Sequence, residues 1–463
     1  MDCLTACQEP AGRAAQHSAL VFCMRTTARL GIPDWVGSLT ALLLVVAAPE
    51  WATAQTRREA PAFTLSDAAT LARRQHPLLS AAGGRRLAAT GTARQEASLP
   101  NPTFEWRKEN YGSPLPRDEF VSLGMPVDFY GRRMALRTAQ GFVASRARLD
   151  SSTTARDVEY DVARAYWRTA LAYALLDAAE VQRLAVDTIA RIETERARQG
   201  QVSNGSALRA RLEADRARLA LSGARAEVSR ARGDLARALA TPFDSVPRPT
   251  DVLRVDSATA AVPPLDALLA LARTRRSELL AARARVDETS RRQLAERLGT
   301  FPAFGAQVGN KRTSGFLTQT LQIGVAVPFF DRNSGNRERA RGEVLMAEGD
   351  LRAAQASVDA EVMSAYRAYR ALLDEYDRAG DIGLTAEGLR TLEQRGATVA
   401  GVAGVAYREG AISLFELLDA ERVRADVRIT ALRAAADVQM ARADLLRALG
   451  LPIDGTGFQL TTP

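Results

Sequence analysis

The chain of 463 residues contains an internal duplication, which restricts the folds open to it more than any other feature. Residues of the first half recur 200 positions later, and the offset becomes 210 towards the end of each half. The residues that recur include Leu65, Leu71, Arg73, Gly124, Phe129, Val162, Tyr166, Gly200, Ser203 and Asp234. About ten additional residues therefore lie in the second half, between Tyr376 and Tyr407. Because a repeat of this kind reflects a duplicated structural unit, we expect both halves to fold alike.

Two long stretches without proline predict helices. No proline lies between Pro126 and Pro242, or between Pro328 and Pro452. Proline costs about 3 kcal/mol inside a helix, so such stretches favour long helices. Their apolar residues are spaced by four and three, in the order Val158, Val162, Ala165, Thr169, Ala172, Leu176 and Ala179. This spacing predicts a narrow coiled-coil seam of small residues, and a helix from Arg132 to Arg198 would be roughly 100 Å long.

The segments RARQGQVS and AYREGAIS mark equivalent points of the two halves. In each, a glycine, Gly200 or Gly410, follows the helical stretch, and a serine, Ser203 or Ser413, precedes the next one. Glycine readily takes the left-handed conformation that ends a helix, and serine is a preferred N-cap. Each half is therefore predicted to contain a long helical hairpin whose tip is a Gly-x-(Val/Ile)-Ser turn.

Upstream of each hairpin the apolar period changes from 3.6 to 2. In the first half, Phe104 and Trp106 alternate with polar residues, and a turn separates them from Phe120–Val127. In the second half, the strand that carries Leu321 and Ile323 follows a shorter turn. Strands of about ten residues suit a transmembrane barrel, although a soluble antiparallel sheet alternates identically. Four strands cannot close a barrel, and lipid does not tolerate open edges, so several chains would have to pool their strands.

The N-terminus is predicted to be a signal peptide, residues 1–54. Arg25 and Arg29 precede the apolar run Leu39–Ala48, and the small-x-small pattern that ends at Ala54 is a cleavage signal. Met24 would be a more usual start for such a peptide. The apolar run is too short to span a bilayer.

The cysteines agree with export. Cys3, Cys7 and Cys23 all precede the predicted cut, so the mature chain would have neither a disulfide nor a thiolate metal site. No run of about 18 apolar residues follows residue 55, which excludes a transmembrane helix. The two remaining classes are a soluble periplasmic or secreted protein and a β-barrel of an outer membrane.

Composition argues against nucleic-acid binding and catalysis. The formal net charge is +8, but arginines and acids are interspersed along the helical stretches, as on solvated helix faces. The predicted mature chain has one histidine, His76, and no phosphate-binding loop or dinucleotide motif. We therefore expect no enzyme activity, no cofactor, no metal site and no nucleic-acid partner.

The sequence predicts five segments. They are a signal peptide (1–54), a first repeat (55–240; strands about 102–127, helical hairpin about 130–240), a linker (241–264), a second repeat (265–450; strands about 303–328, helical hairpin about 335–450) and a tail (451–463).

Over essentially the whole predicted mature chain, these features resemble the TolC family of outer-membrane efflux proteins, or outer membrane factors. The resemblance is carried by Leu65-Ser-Asp-Ala-Ala69 with His76-Pro77, by the strand and helical hairpins, and by the twin tip turns. The segment Val327-Pro-Phe-Phe-Asp-Arg-Asn-Ser-Gly335 is similar to the CzcC-like branch, which serves heavy-metal resistance-nodulation-division pumps.

The resemblance implies a mainly α fold with a β-barrel part. Internally duplicated helical hairpins would form a periplasmic α-barrel, and four strands per chain would contribute to a trimeric, twelve-stranded barrel in outer-membrane lipid. The lipid face would carry Phe104, Trp106, Leu321 and Ile323. The homotrimer would be a passive conduit for solutes, with metal cations or drugs as candidates. It would dock a periplasmic adaptor (membrane fusion protein), which links it to an inner-membrane resistance-nodulation-division pump.

The resemblance also implies roles for tip residues. The adaptor-docking residues would be Gly200, Val202, Ser203, Gly410, Ile412 and Ser413. A periplasmic constriction would be formed by Tyr407, Glu416 and Asp419, whose acids would favour cations. Some members close this mouth with an Arg at the position of Ile412 and an Asp at that of Ser206, and neither is present here. Closure is therefore expected to rely on apolar contacts and on the packing of Tyr407.

Two alternatives remain open. A type I protein secretion channel would have the same architecture. A soluble periplasmic coiled-coil scaffold would share the long helices, but would bury Phe104, Trp106, Leu321 and Ile323 in a core.

Overall fold

The structure is a computed structural model that describes residues 62–251, 253, 262–378 and 386–453. The predicted signal peptide, part of the linker and most of the tail lie outside the described residues. The elements of the first half are α1 (Leu65–Gln75), α2 (Pro77–Ala97), β1 (Thr103–Glu109), β2 (Asp118–Val127), α3 (Arg132–Arg198) and α4 (Asn204–Leu239), followed by a short 3₁₀ helix (Phe243–Ser245).

The second half repeats this order. Its elements are α5 (Leu265–Arg275), α6 (Ser277–Leu298), β3 (Ala303–Thr313), β4 (Phe316–Ala326), α7 (Ser334–Arg378), α8 (Ala386–Arg408) and α9 (Leu414–Leu449). The single helix α3 of the first half thus corresponds to α7 and α8 together. The predicted ten-residue insertion overlaps residues 379–385, which lie outside the described part. The predicted fold class, mainly helical with four strands per chain, is confirmed.

The small-residue seam explains how α3 packs against its neighbours. Val162, Ala165 and Thr169 are buried on α3, as their spacing by three and four predicts. The buried hydroxyl of Thr169 donates to the carbonyl oxygens of Ala165, on its own helix, and Ala231, on α4, at 2.8 and 3.0 Å. Small side chains let the helices approach closely enough for this shared contact. None of the helices among the described residues has both the length and the apolar character needed to cross a membrane.

The break between the two short helices has a different cause in each half. His76 has extended φ and ψ (−68° and 124°), as expected of a residue before proline, and it caps α2 through its Nδ1. Arg276 takes nearly the same conformation without a following proline. Its guanidinium donates to the carbonyl oxygens of Arg447 and Ala448 at the end of α9, both at 3.1 Å. The bend in the second half is therefore accompanied by this tertiary contact, whereas the bend in the first half is favoured by proline.

The four strands form one antiparallel sheet in the order β1-β2-β3-β4. Its register places Phe104, Leu123, Val308 and Leu321 side by side in a single row. Residues that point to the opposite face include Glu105, Ser122, Gln307 and Thr320. Because the apolar row is about half to two-thirds exposed, one face of the sheet is apolar and is not covered by the part of the chain that the structure describes.

The largest core lies where the short helices pack against the middle of α3 and the C-terminal ends of α4 and α9. Its largest fully buried residues include Tyr166, Tyr369, Leu235, Leu239, Leu268, Leu279, Leu445 and Leu449. The Tyr166 hydroxyl lies 2.8 Å from the carbonyl oxygen of Phe63 and 2.9 Å from the carboxylate of Asp251 in the linker. Asp251 also accepts the N–H of Leu65 at the start of α1 (2.8 Å), so two elements of the first repeat, α1 and α3, hold the linker.

Candidate functional site at the hairpin tips

The two tip turns have the same backbone geometry. Gly200 and Gly410 have φ values of 75° and 77°, in the left-handed region. At the first tip, the N–H groups of Gly200 and Gln201 donate to the carbonyl oxygens of Ala197 and Arg196. The second tip repeats the pattern, with Gly410 and Ala411 donating to Tyr407 and Ala406. Both are Schellman motifs, which satisfy the last carbonyl groups of a helix and need a residue that tolerates positive φ.

A serine caps the helix that leaves each tip. Ser203 Oγ accepts the N–H of Ser206 at 3.1 Å and lies 3.1 Å from the Ser206 hydroxyl. Ser413 forms a reciprocal capping box with Glu416, whose carboxylate accepts the Ser413 N–H at 2.6 Å. These hydrogen bonds from Ser413, first that of its backbone, hold the pKa of Glu416 below its ordinary value. The acid predicted to line a constriction thus also stabilises the start of α9.

Tyr407 connects the two hairpins of the chain. Its hydroxyl donates to Glu193 on α3, whose side chain is fully buried. Arg196 lies 3.7 Å from the Glu193 carboxylate, and its guanidinium is 5.4 Å from the centre of the Tyr407 ring. Burial, followed by the hydrogen bond to Glu193, raises the pKa of Tyr407 to about 12. Tyr407 is therefore a neutral donor at physiological pH, and its hydrogen bond partly satisfies a buried carboxylate.

An apolar cluster lies beside this hydrogen bond and joins four helices, α3, α4, α8 and α9. Its buried residues are Val186, Ala190, Ala210, Ala214, Leu414 and Leu418, with Ile189 and Tyr407 packed against them. We call this set the tip cluster. Its members come from both hairpins, and Tyr407 is the one that adds a hydrogen bond to the packing. The dependence of closure on apolar contacts and Tyr407 stays a prediction.

A second polar contact joins the hairpins near the tip cluster. Arg422 on α9 lies 3.0 Å from Glu213 on α4, which also pairs with Arg216 on its own helix at 3.3 Å. All three side chains are partly or largely exposed, so the pair contributes little free energy on its own. Its structural value is that it connects α4 to α9.

The structure places the predicted docking residues together at each turn. Gly200 and Ser203 are exposed and Val202 is half-buried; Gly410, Ser413 and Ile412 repeat this arrangement. Ile412 and Glu416 also border a cavity of about 860 Å³ along α8, with Val399 and Val402. Asp419 is exposed on α9. Adaptor docking and a constriction are not tested by this placement and stay predictions.

Sequence reasoning missed Glu193 and Arg196. Glu193 continues the spacing of Val186 and Ala190 by four and three, so it occupies a seam position of α3. A carboxylate at a seam position indicates a buried polar contact, and this signal was available in the sequence. Its partner Tyr407 could not be identified from the sequence, because it lies 214 residues away. Among the described residues, no group of three or more His, Cys, Asp or Glu side chains could hold a metal ion.

Comparison with known proteins gives a consistent result. Residues 268–451 match the model of the family described as outer membrane efflux protein. The outer membrane protein VceC of Vibrio cholerae has a similar structure, with a TM-score of 0.67 and 18% identity over 84% of this chain and 96% of that one. The CmeC outer membrane channel of Campylobacter jejuni gives a TM-score of 0.67 and 14% identity, over 83% and 85%.

A membrane protein from Pseudomonas aeruginosa gives a TM-score of 0.68 and 18% identity, over 86% of this chain and 92% of that one. The search of curated proteins gave no match. The second half of the chain thus matches the outer membrane efflux protein family, a family of channels, and the described chain has the fold of solved outer membrane channels.

Proposed function

We propose that this protein is the outer-membrane channel of a tripartite efflux system. Three copies would form a passive conduit that leads solutes from the periplasm to the exterior. The observation that carries the proposal is the sheet: the outer edges of β1 and β4 have no partner strand among the described residues, and its apolar face is exposed. Lipid excludes open sheet edges, so the strands of several chains would close one barrel, twelve-stranded in a trimer.

The two faces of the sheet suit the two sides of such a barrel. Phe104, Trp106, Leu321 and Ile323, between 61% and 70% exposed in the chain, would face lipid. On the opposite face, Gln307 donates to Glu105 (2.9 Å) and Ser122 (2.6 Å), a polar network suited to a water-filled lumen. Monomeric soluble proteins rarely expose an apolar surface of this kind, which argues against the soluble scaffold.

The hairpin tips would form the periplasmic mouth and bind the adaptor. Gly200, Val202 and Ser203 of the first tip, and Gly410, Ile412 and Ser413 of the second, lie at the ends of the longest hairpins of the chain. The apolar cavity beside Ile412 supports an adaptor contact there. The adaptor would link the channel to an inner-membrane pump, which supplies the energy.

The mouth would be narrowed by Tyr407, Glu416 and Asp419 from each chain. The hydrogen bond from Tyr407 to Glu193 supports a closed resting state, because it holds the second hairpin against the first. Opening would then have to break this bond and separate part of the tip cluster.

The most specific parts of the proposal are the class of the pump and the solute that is transported. The segment Val327–Gly335 supports the CzcC-like branch and a resistance-nodulation-division pump, with metal cations or drugs as solutes. A type I secretion channel, the alternative within the same fold, would instead serve a protein substrate. Export by the signal peptide of residues 1–54 completes the proposed route to the outer membrane.

The experiment that tests the proposal is the mass of the mature protein, extracted in mild detergent from the outer-membrane fraction. Light scattering with the detergent contribution subtracted should give the mass of three chains. A protein recovered without detergent, as a monomer or dimer, would contradict the channel and favour the soluble scaffold. Tip variants with unchanged trimer mass but lost cross-linking to the adaptor would then support docking at the tips.

A further inference from the structure

A cavity of about 340 Å³ lies at the junction of the sheet and the long helices. Its walls include the aromatic residues Phe129, Tyr130, Phe301 and Phe304 and two arginines, Arg132 and Arg133, at the start of α3. We call it the junction cavity. In the sheet register Phe304 is paired with Val127 and Val325 and shares a face with Val308, so the cavity continues the apolar face of the sheet at one end.

The aromatic side chains are stacked on one another and still reach solvent. The rings of Tyr130 and Phe301 are stacked with centroids 4.6 Å apart, and those of Phe129 and Phe304 meet edge to face at 4.9 Å. Phe129 and Phe301 are 67% and 51% exposed. Aromatic rings at the end of an apolar band are typical of the level at which lipid headgroups begin.

The two arginines of the cavity have weak partners within the chain. The Arg132 guanidinium lies 3.8 Å from the carboxylate of Glu296, and that of Arg133 donates a hydrogen bond of 3.5 Å to the carbonyl oxygen of Ser98. Two other arginines of α3 have closer ion pairs: Arg146 lies 2.8 Å from Glu288, and Arg183 lies 2.6 Å from Asp187. The junction arginines therefore keep more donor capacity for another anion.

Two carboxylates also line the cavity, and both have other partners. Asp128 accepts the backbone N–H groups of Arg132 (3.1 Å) and Arg133 (2.7 Å), so it caps α3. Glu96 accepts a hydrogen bond from Gln140 and lies 3.9 Å from Arg292. The helix terminus and Arg292 thus engage these two acids. Glu296, the weak partner of Arg132, accepts a hydrogen bond from Asn333 at 2.8 Å, so both guanidinium groups keep donors for an anion.

We propose that the junction cavity binds the phosphate of an acidic phospholipid, with its acyl chains along the apolar face of the sheet. The inference rests on the proposed outer-membrane location. Guanidinium groups bind phosphate oxygens in a bidentate manner, and the aromatic rings would contact the glycerol and the upper acyl chains. Each chain would hold one such lipid where the barrel meets the periplasmic helices.

Native mass spectrometry of the detergent-extracted trimer tests this proposal. The trimer is mixed with equal amounts of phosphatidylglycerol and phosphatidylethanolamine of identical acyl chains. We expect up to one tightly held phosphatidylglycerol per chain. Arg132→Gln with Arg133→Gln should lower the preference for phosphatidylglycerol by about thirtyfold, the effect of two basic residues at an anionic lipid. The single variant Arg133→Gln should show part of this loss.

The matched control is Arg137→Gln with Arg148→Gln, which removes the same charge at two exposed arginines further along α3. It should keep the preference of the unaltered protein. Equal retention of the two lipids by the unaltered trimer would overturn the site, as would an equal loss in the control. Because the sample is an intact trimer, such a result would leave the channel standing. Recovery without detergent would instead remove the channel and the lipid site together.

Discussion

At the scale of single residues, the duplication shows where two different residue types adopt the same backbone conformation. Ala240 ends α4 and Gly450 ends α9, at equivalent positions 210 residues apart. Both have positive φ, 52° for Ala240 and 71° for Gly450. Alanine carries a Cβ that crowds the backbone in this conformation, whereas glycine does not. The first repeat therefore stores backbone strain that the second avoids.

Replacing Ala240 with glycine should stabilise the protein. Relief of left-handed strain is worth roughly 1–2 kcal/mol, and the greater freedom of glycine in the unfolded chain offsets about 0.4–1 kcal/mol of it. The net gain should be close to 1 kcal/mol, measured by denaturant unfolding followed by circular dichroism. The control Ala220→Gly, at an exposed helical position of α4, should lose about 1 kcal/mol instead. A loss in both variants would contradict the strain argument.

Tyr407→Phe isolates the hydroxyl that joins the two hairpins. The ring would keep its place against the tip cluster, but buried Glu193 would lose its donor, which costs roughly 1–3 kcal/mol. If the bond holds a closed mouth, we expect more frequent opening of single channels in planar bilayers. Tyr366→Phe, the same change on α7 away from the tips, should leave the resting conductance unaltered. Equal conductance of the two variants would separate Tyr407 from closure.

At the scale of elements, the two helix caps at the tips respond differently to pH. The capping box of α9 contains a titratable group, Glu416, whose pKa lies below its ordinary value of 4.5. The cap of α4 uses Ser203 and Ser206 and has none. A carboxylate with a lowered pKa contributes stability above its unfolded pKa and loses it as the pH falls through its folded pKa.

Acidification below pH 4.5 should therefore loosen the second tip before the first. Hydrogen exchange is the suitable measurement, with protection factors corrected for the intrinsic rate at each pH. Amides of residues 413–417 should lose protection relative to those of residues 203–207. In Glu416→Gln, whose amide does not titrate, the difference between the tips should no longer depend on pH. Equal loss at both tips would show that the capping box is not the cause.

The register of the sheet predicts that arginine substitutions at two adjacent residues of β4 have different effects. Leu321 lies in the apolar row, whereas Thr320 points to the opposite face. In an outer-membrane barrel, Leu321→Arg would place a charge in lipid at a cost of roughly 2–4 kcal/mol, but Thr320→Arg would point it into water. The yield of heat-resistant trimer in the outer-membrane fraction should fall for Leu321→Arg alone. Equal yields would argue that this face does not contact lipid.

The sequence predicts elements well here because each has a strong period and distinct ends. Glycine followed by serine marks both tips, and alternation over ten residues marks the strands. Contacts between segments that are distant in the sequence are harder to predict. Tyr166 and Tyr366 are equivalent in the repeat, yet Tyr166 is fully buried against the linker and Tyr366 is only half-buried. Periodicity reports which face of a helix is apolar and does not specify which segment covers it.

At the scale of the whole molecule, the duplication produces two hairpins that must act together. They share the large core at one end and the tip cluster at the other, and the Tyr407–Glu193 and Arg422–Glu213 contacts lie near the tips. A core of fully buried leucines is costly to separate, whereas a small cluster with exposed ion pairs is not. Relative movement of the hairpins is therefore expected at the tips, with the large core as the fixed end.

Cross-linking can test this division, because the chain has no cysteine after Cys23. We expect Glu213→Cys with Arg422→Cys, joined by a short bis-maleimide, to hold α4 and α9 together and keep the channel closed. The matched control joins Glu213→Cys to Arg216→Cys, an ion pair within α4 alone, and should leave opening unchanged. Solute flux through reconstituted trimers, measured before and after cross-linking, distinguishes the two. If the inter-hairpin cross-link leaves flux unaltered, the two hairpins do not separate at the tips when the channel opens, and movement has to be sought at another level of the helical barrel.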